Sequence, residues 1–221
     1  MIPRTLEPEV MDTPAEATDY DRMDHAAVNR AFAADFLAVW PERSGEVLDV
    51  GTGTAQIPIE LCRQASGFTL RAVDAAAAML KLADANITSA GLASRIGIEL
   101  VDAKGLPHSA RRFTAVVSNS IVHHIPEPGR AFAEMVRVCQ PDGALFVRDL
   151  LRPESAAEVE RLVELHAAGA NVEQKQLFRQ SLHAALTVAE VSTLIGPHGF
   201  AAATVMQTSD RHWTWSARKP S

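Results

Sequence analysis

Val47-Leu48-Asp49-Val50-Gly51-Thr52-Gly53-Thr54-Ala55-Gln56 is the stretch on which the reading of this chain turns. Val47 to Val50 is short and apolar enough for a buried strand. Gln56 opens a helical pattern that runs to Ala65, with Ile57, Leu61 and Ala65 on one face and Pro58 tolerable in the first turn. Between them stand Gly51 and Gly53. Glycine at a strand-to-helix junction permits a sharp turn and lets a ligand approach the backbone. The helix N-terminus beside it offers free N–H groups.

Outward from this junction, short apolar runs alternate with helical stretches. Phe68–Val73, Ile96–Val101, Phe113–Ser118 and Ala144–Val147 read as strands. Ala76–Ala90, closed by Gly91, and Glu127–Cys139 read as helices, and Pro141-Asp142-Gly143 reads as a turn. Near-continuous apolar strands alternating with helices predict a parallel sheet covered on both faces. Upstream, about 20 residues look like a loose arm. From Asp24 a helical stripe of Val28, Phe32, Phe36, Leu37 and Trp40 runs to Pro41. Downstream, residues 153–195 read as a helical insertion whose last helix opens at the capping pattern Thr187-Val188-Ala189-Glu190. Phe200–Met206 and His212–Ala217, joined by Gln207–Arg211, predict an antiparallel edge hairpin. Trp213 and Trp215 share one of its faces, as core residues.

The expected fold is therefore α/β and Rossmann-like: a doubly wound, mostly parallel seven-stranded sheet with an antiparallel C-terminal hairpin. A single domain would comprise an N-terminal arm (1–44), a core (45–150), a helical insertion between the fifth and sixth strands (151–198) and the hairpin (199–221). The 221 residues are 47% hydrophobic, enough for a full core. The 21 Lys and Arg against 27 Asp and Glu give a formal charge of −6, and no basic cluster stands out to grip nucleic acid. Two cysteines, Cys62 and Cys139, are too few for a disulfide framework and read as buried thiols. No apolar run is long enough to span a membrane, and the acidic, proline-dotted start does not read as a signal peptide. A cytoplasmic location is the expectation.

The glycine turn resembles a dinucleotide fingerprint but departs from it. Asp49 precedes the first glycine, Gln56 stands at the third glycine position, and Asp74, the next acid to end a strand, is followed by Ala75, Met79 and Leu80. A carboxylate before the glycines sits poorly with a pyrophosphate and suits an ammonium or sulfonium group. A nicotinamide-dependent oxidoreductase of the short-chain type is disfavoured further, because the only tyrosine, Tyr20, lies in the arm.

Asp49–Thr54, Val73-Asp74 with Met79-Leu80, Asp102-Ala103 and Ser118-Asn119, in that order, resemble the class I S-adenosylmethionine (SAM)-dependent methyltransferases, closest to the ubiquinone/menaquinone-biosynthesis type. The resemblance implies transfer of a methyl group from SAM to a small-molecule acceptor, leaving S-adenosylhomocysteine. It implies that Asp49, Gly51, Thr52 and Gly53 lie under the methionine moiety, that Asp74 takes the ribose hydroxyls, that Ala75 and Met79 line the adenine, and that Asp102 and Ala103 meet its edge. Ser118 and Asn119 would stand at the gate to the acceptor. Thr54, Gln56, Lys104 and Ser120 complete the expected contacts, with Tyr20 and Met23 folding over as a lid. His123 and His124 are the candidate catalytic pair, as base, orienter or lid contact. Arg148, Asp149, Phe178 and Arg179 are candidate acceptor contacts, Arg179 with the alternative of a plain surface charge. No metal site is expected, because adjacent histidines rarely aim at one ion and no carboxylate stands at a familiar spacing. A SAM-binding sensor or partner subunit without turnover stays open as an alternative, and either a monomer or a homodimer is compatible.

Overall fold

The computed structural model describes residues 2–7, 10, 12–23 and 25–221. The elements run α1 (Pro14–Asp21), α2 (Ala26–Val39), β1 (Gly45–Val50), α3 (Gln56–Gln64), β2 (Phe68–Asp74), α4 (Ala77–Ser89), β3 (Ile96–Leu100), β4 (Phe113–Asn119), a 3-10 turn (Val122–His124), α5 (Pro128–Val138) and β5 (Cys139–Leu150). Then come α6 (Ala156–His166), α7 (Val172–Ala184), α8 (Val188–Ile195), β6 (Val205–Gln207) and β7 (His212–Arg218). The expected helix start at Asp24 lies outside the described residues.

The seven strands form one sheet in the order β3-β2-β1-β4-β5-β7-β6. β1 to β5 pair in parallel, and β7 runs antiparallel between β5 and β6. This is the expected doubly wound sheet, with its edge hairpin and its helical insertion after β5. Alternate strand residues feed two cores. Leu48, Val50, Val116 and Leu145 pack under α5 and α8 with Phe132, Val191, Trp213 and Trp215. Val47, Ala115, Val117 and Phe146 pack under α2, α3 and α4 with Phe32, Phe36, Trp40 and Leu61. Both cysteines are buried and free. A third, smaller core of Val159, Leu162, Val163 and Leu182 joins α6 to α7 against Leu150.

Three expectations change. The arm is not loose throughout: Thr13 caps α1, with Pro14 in its first turn and Glu16 closing a capping box. The sixth strand shrinks from 200–206 to Val205–Gln207, and Ala202–Thr204 forms a 3-10 turn, as small alanines with weak strand preference allow. Pro141-Asp142-Gly143 does not separate a helix from a strand. It forms a bulge within β5, where Phe113 pairs with Cys139 but Ala115 already pairs with Ala144.

The order of strands in the sheet reverses between β1 and β4. Ligand crevices in such sheets open there, beyond the carboxyl ends of the strands.

Candidate functional site

β1 delivers the chain into the crevice at Val50. Gly51 has φ 74°, and a Cβ on it would stand 2.2 Å from Ile121 Cγ2, so glycine is required on both counts. The Gly51 and Thr52 N–H groups donate to Val73 O at 2.8 and 2.9 Å, which ties the turn to the end of β2. There Asp74 accepts from Gly53 N at 2.7 Å through Oδ2 and from Ala76 N at 2.9 Å through Oδ1. Each oxygen retains acceptor capacity for a ligand hydroxyl. Burial raises the Asp74 pKa against these bonds. Asp49, only 2% exposed, is pushed up to about 7 by burial, with the Asp74 charge adding to it. Its Oδ2 has no hydrogen-bond partner among the described residues. A buried acceptor in that state is matched by a cationic or N–H-bearing ligand.

Two cavities meet at this turn and share Tyr20, Gly51 and Asn119. The larger, about 930 Å³ and open to solvent, is lined by Gly53, Asp74, Ala75, Met79, Asp102, Ala103 and Lys104 and extends to Ser120, Ile121, His124 and Ile125. The smaller, about 430 Å³, is lined by Asp49, Thr52, Thr54 and Gln56 with Met23 and Asn29. Asp102 is drawn towards its own neighbour: Lys104 N donates to its Oδ1 at 2.8 Å, and Lys104 Nζ lies 3.1 Å from its Oδ2.

α1 roofs the junction. Asp21 Oδ1 accepts from Asn86 Nδ2 at 2.9 Å and from Gln56 Nε2 at 3.3 Å. Asp12 Oδ1 accepts from Ala78 N at 2.9 Å. Ala17 packs on Ala76 and Met79, with Tyr20 beside them. The arm thus joins the start of α3 to both ends of α4.

The far end of the larger cavity is a corner of four ionisable side chains. His123 Nδ1 lies 2.5 Å from Asp149 Oδ1. Asp149 also accepts from Val122 N at 2.5 Å, Leu150 N at 2.6 Å and His123 N at 3.2 Å. Burial works against charge on both partners. Their pairing outweighs it, so the Asp149 pKa is lowered and the His123 pKa is raised. Glu7 comes from the arm: its Oε1 lies 3.4 Å from His123 Nε2 and 3.2 Å from His124 Nδ1. Arg4 anchors this segment, donating to Ala184 O at 2.7 Å, Ile125 O at 3.0 Å and His123 O at 3.1 Å.

Nearly all the expected cofactor contacts border one of the two cavities, Tyr20 and Met23 included. Ser118 does not, because its hydroxyl donates to Val50 O at 2.8 Å inside the sheet. Of the candidate acceptor contacts, Asp149 lines neither cavity but holds His123, the buried neighbour of the cavity-lining His124. The other three lie elsewhere. Arg148 bonds Asp35 at 2.7 Å and Thr214 at 3.0 Å. Phe178 packs against the small α6–α7 core. Arg179 pairs with Glu160 at 2.8 Å on the surface. Sequence reasoning missed Glu7, Val10, Val101, Ile121 and Ile125. Val101 directly follows β3 and could have been found by counting one residue on; Ile121 and Ile125 flank the histidine turn, and Val10 follows no strand. Glu7 has no local signal.

Residues 48–147 match the family model of a methyltransferase domain. The chain has the class I SAM-dependent methyltransferase fold. A Methanococcus maripaludis structure, solved as a candidate SAM-dependent methyltransferase, superposes with a TM-score of 0.74 at 18% identity, covering 98% of this chain and 97% of that one. Methyltransferase GfsG of Streptomyces halstedii is 30% identical over 106 residues, 48% of this chain and 38% of its own length. The ubiquinone/menaquinone biosynthesis C-methyltransferase UbiE of Geobacter sulfurreducens is 27% identical over 117 residues, 52% and 45% respectively. The match therefore spans less than half the length of either curated relative. No helix among the described residues is long and apolar enough to cross a membrane.

Proposed function

We propose that this chain binds SAM across the two cavities and transfers its methyl group to a small-molecule acceptor of the quinone-precursor class. The observation that carries the reading is the pair of joined cavities, each lined by a carboxylate: the half-buried Asp74 in the larger and the buried Asp49 in the smaller. A ligand with ribose hydroxyls at one end and an ammonium at the other meets both. Asp74 would take the hydroxyls, Met79 and Ala75 would cover the adenine with Asp102 at its edge, and Asp49 would face the ammonium with Gln56 and Thr52 nearby. Bound SAM supplies an electrophilic methyl on a sulfonium. The protein's part is then to exclude water and hold a nucleophile in line, about 3–3.5 Å away.

The acceptor would enter past Asn119 and Ser120 towards His124, which lines the cavity. His123, clamped by Asp149, is a positioning residue that fixes its neighbour. A base is needed only where the acceptor must lose a proton first. The sensor reading requires a closed acceptor side, whereas the larger cavity continues beyond the cofactor contacts to Ile125. The C-methyltransferase relative supports a hydroquinone-like acceptor.

Calorimetric titration with SAM, S-adenosylhomocysteine and NAD tests the cofactor. Micromolar binding of the first two, lost in Asp74→Ala, is expected, and binding of NAD alone would overturn the reading. Transfer of labelled methyl to a panel of hydroquinones and phenols tests the acceptor class.

A further inference from the structure

We infer that Glu7, His123 and His124 form a binding site for a divalent transition-metal ion, with zinc the best match to the donor set. Glu7 Oε1, His123 Nε2 and His124 Nδ1 all lie within 4.8 Å of one another. The carboxylate oxygen stands 3.4 and 3.2 Å from the two ring nitrogens. Four donors arranged tetrahedrally at zinc bond lengths of roughly 2.0–2.1 Å are about 3.3–3.4 Å apart. Octahedral bonds of about 2.0–2.1 Å bring neighbouring donors to about 2.9 Å. The two carboxylate-to-imidazole separations here are those of the tetrahedron. Glu7 Oε1 has no hydrogen-bond donor among the described residues, although the side chain is only 6% exposed.

Two further features belong to a built site. His123 gives its Nδ1 side to Asp149 at 2.5 Å, which fixes the ring and leaves Nε2 facing Glu7. Metal-ligating histidines are held by a carboxylate in this way, and the partner is itself held by hydrogen bonds. Asp149 accepts three backbone N–H groups besides. Glu7 is also fixed: Ser181 Oγ donates to its other oxygen at 3.2 Å, Thr5 N donates to His183 O at 3.0 Å, and Arg4 anchors the segment. No metal site is expected from the sequence, because adjacent histidines rarely aim at one ion and no carboxylate stands at a familiar spacing; here both rings reach one carboxylate oxygen. The fold brings that carboxylate from the arm.

Three protein donors leave a fourth position open, the pattern of zinc sites that exchange a ligand. His124 lines the larger cavity, so that position borders the acceptor path. A hydroxyl or thiol of the acceptor is the class of ligand that would fill it. This last step rests on the proposed methyl transfer; the metal site does not.

The test uses the full chain, stripped with chelator and titrated with zinc chloride alone. One zinc per chain is expected in the wild type. Affinity should fall at least about 100-fold in Glu7→Gln and, separately, in His124→Ala. X-ray absorption of the zinc-loaded wild type should show nitrogen and oxygen donors with two imidazoles, a readout that needs no variant to fold. Failure to reach one zinc per chain, zinc retained equally in both variants, or a spectrum without imidazole would overturn the proposal. SAM affinity of the same stripped protein, measured in parallel, separates failure of the metal site from failure of the cofactor reading.

Discussion

At one end of the cleft, Asp49, Gly51, Gly53 and Asp74 come from two neighbouring strands and the turn between strand and helix. At the other end, Glu7, His123 and Asp149 come from three segments that meet only in the finished fold. The first end is held by backbone bonds of the turn itself. The second depends on an arm segment pinned from afar by Arg4, Thr5 and Glu7 itself. The cofactor end should therefore be indifferent to the arm's first residues, and the histidine corner should not be.

The largest effect expected is at the cofactor end. Asp74→Ala removes the acceptor for both Gly53 N and a ribose, and SAM affinity should fall by about two orders of magnitude or more, measured by calorimetry. That corresponds to about 3 kcal/mol, the scale of a charge-assisted bond lost together with its neighbours. An unchanged affinity would break the assignment of that end.

Arg4→Ala is the reciprocal test. Three buried or half-buried carbonyls lose a charged donor, so unfolding stability should drop by about 1–3 kcal/mol, visible as a shift of several degrees in the melting midpoint. SAM affinity should stay within about threefold. A collapse of SAM binding in this variant would show that the two ends are coupled.

The pH dependence of binding sharpens the comparison further. Burial raises the Asp49 pKa to about 7, so the group is mostly protonated at pH 6 and mostly ionised at pH 8. A cationic ligand end favours the ionised form. SAM should therefore bind about tenfold more tightly at pH 8 than at pH 6, with proton release on binding below pH 7. In Asp49→Asn that slope should vanish. For folding of the ligand-free protein the sign is opposite. An acid whose folded pKa lies above its unfolded value loses stability as pH rises from the unfolded pKa towards 7. The smallest effect belongs to Arg179→Ala. That side chain pairs with Glu160 at the surface, away from both cavities, and the melting midpoint and SAM affinity should not change.

The turn after β1 was legible because its determinants are adjacent in the chain: an apolar run, two glycines and the start of a helix. The helix α1 also had a legible signature, Thr13-Pro14 with Glu16, which the acidic, proline-dotted composition around it obscured. Pro141-Asp142-Gly143 was read correctly as a break in regularity but not as a bulge, because only the pairing with β4 shows that the strand resumes in the same ladder. Arg148 and Asp149 are neighbours on β5, and alternation sends them to opposite faces. One reaches α2 and the other the histidines, which no reading of a dipeptide distinguishes. Glu7 had nothing around it to mark it.

The anchoring of Arg4 on Ala184 has a consequence for the order of assembly. The arginine that pins the histidine corner and the carbonyl it needs are 180 residues apart in the chain. Contacts so distant in sequence bring their loop-closure entropy late. The sheet from β1 to β5 can form while the arm waits, and docking of the arm would be a late event in refolding.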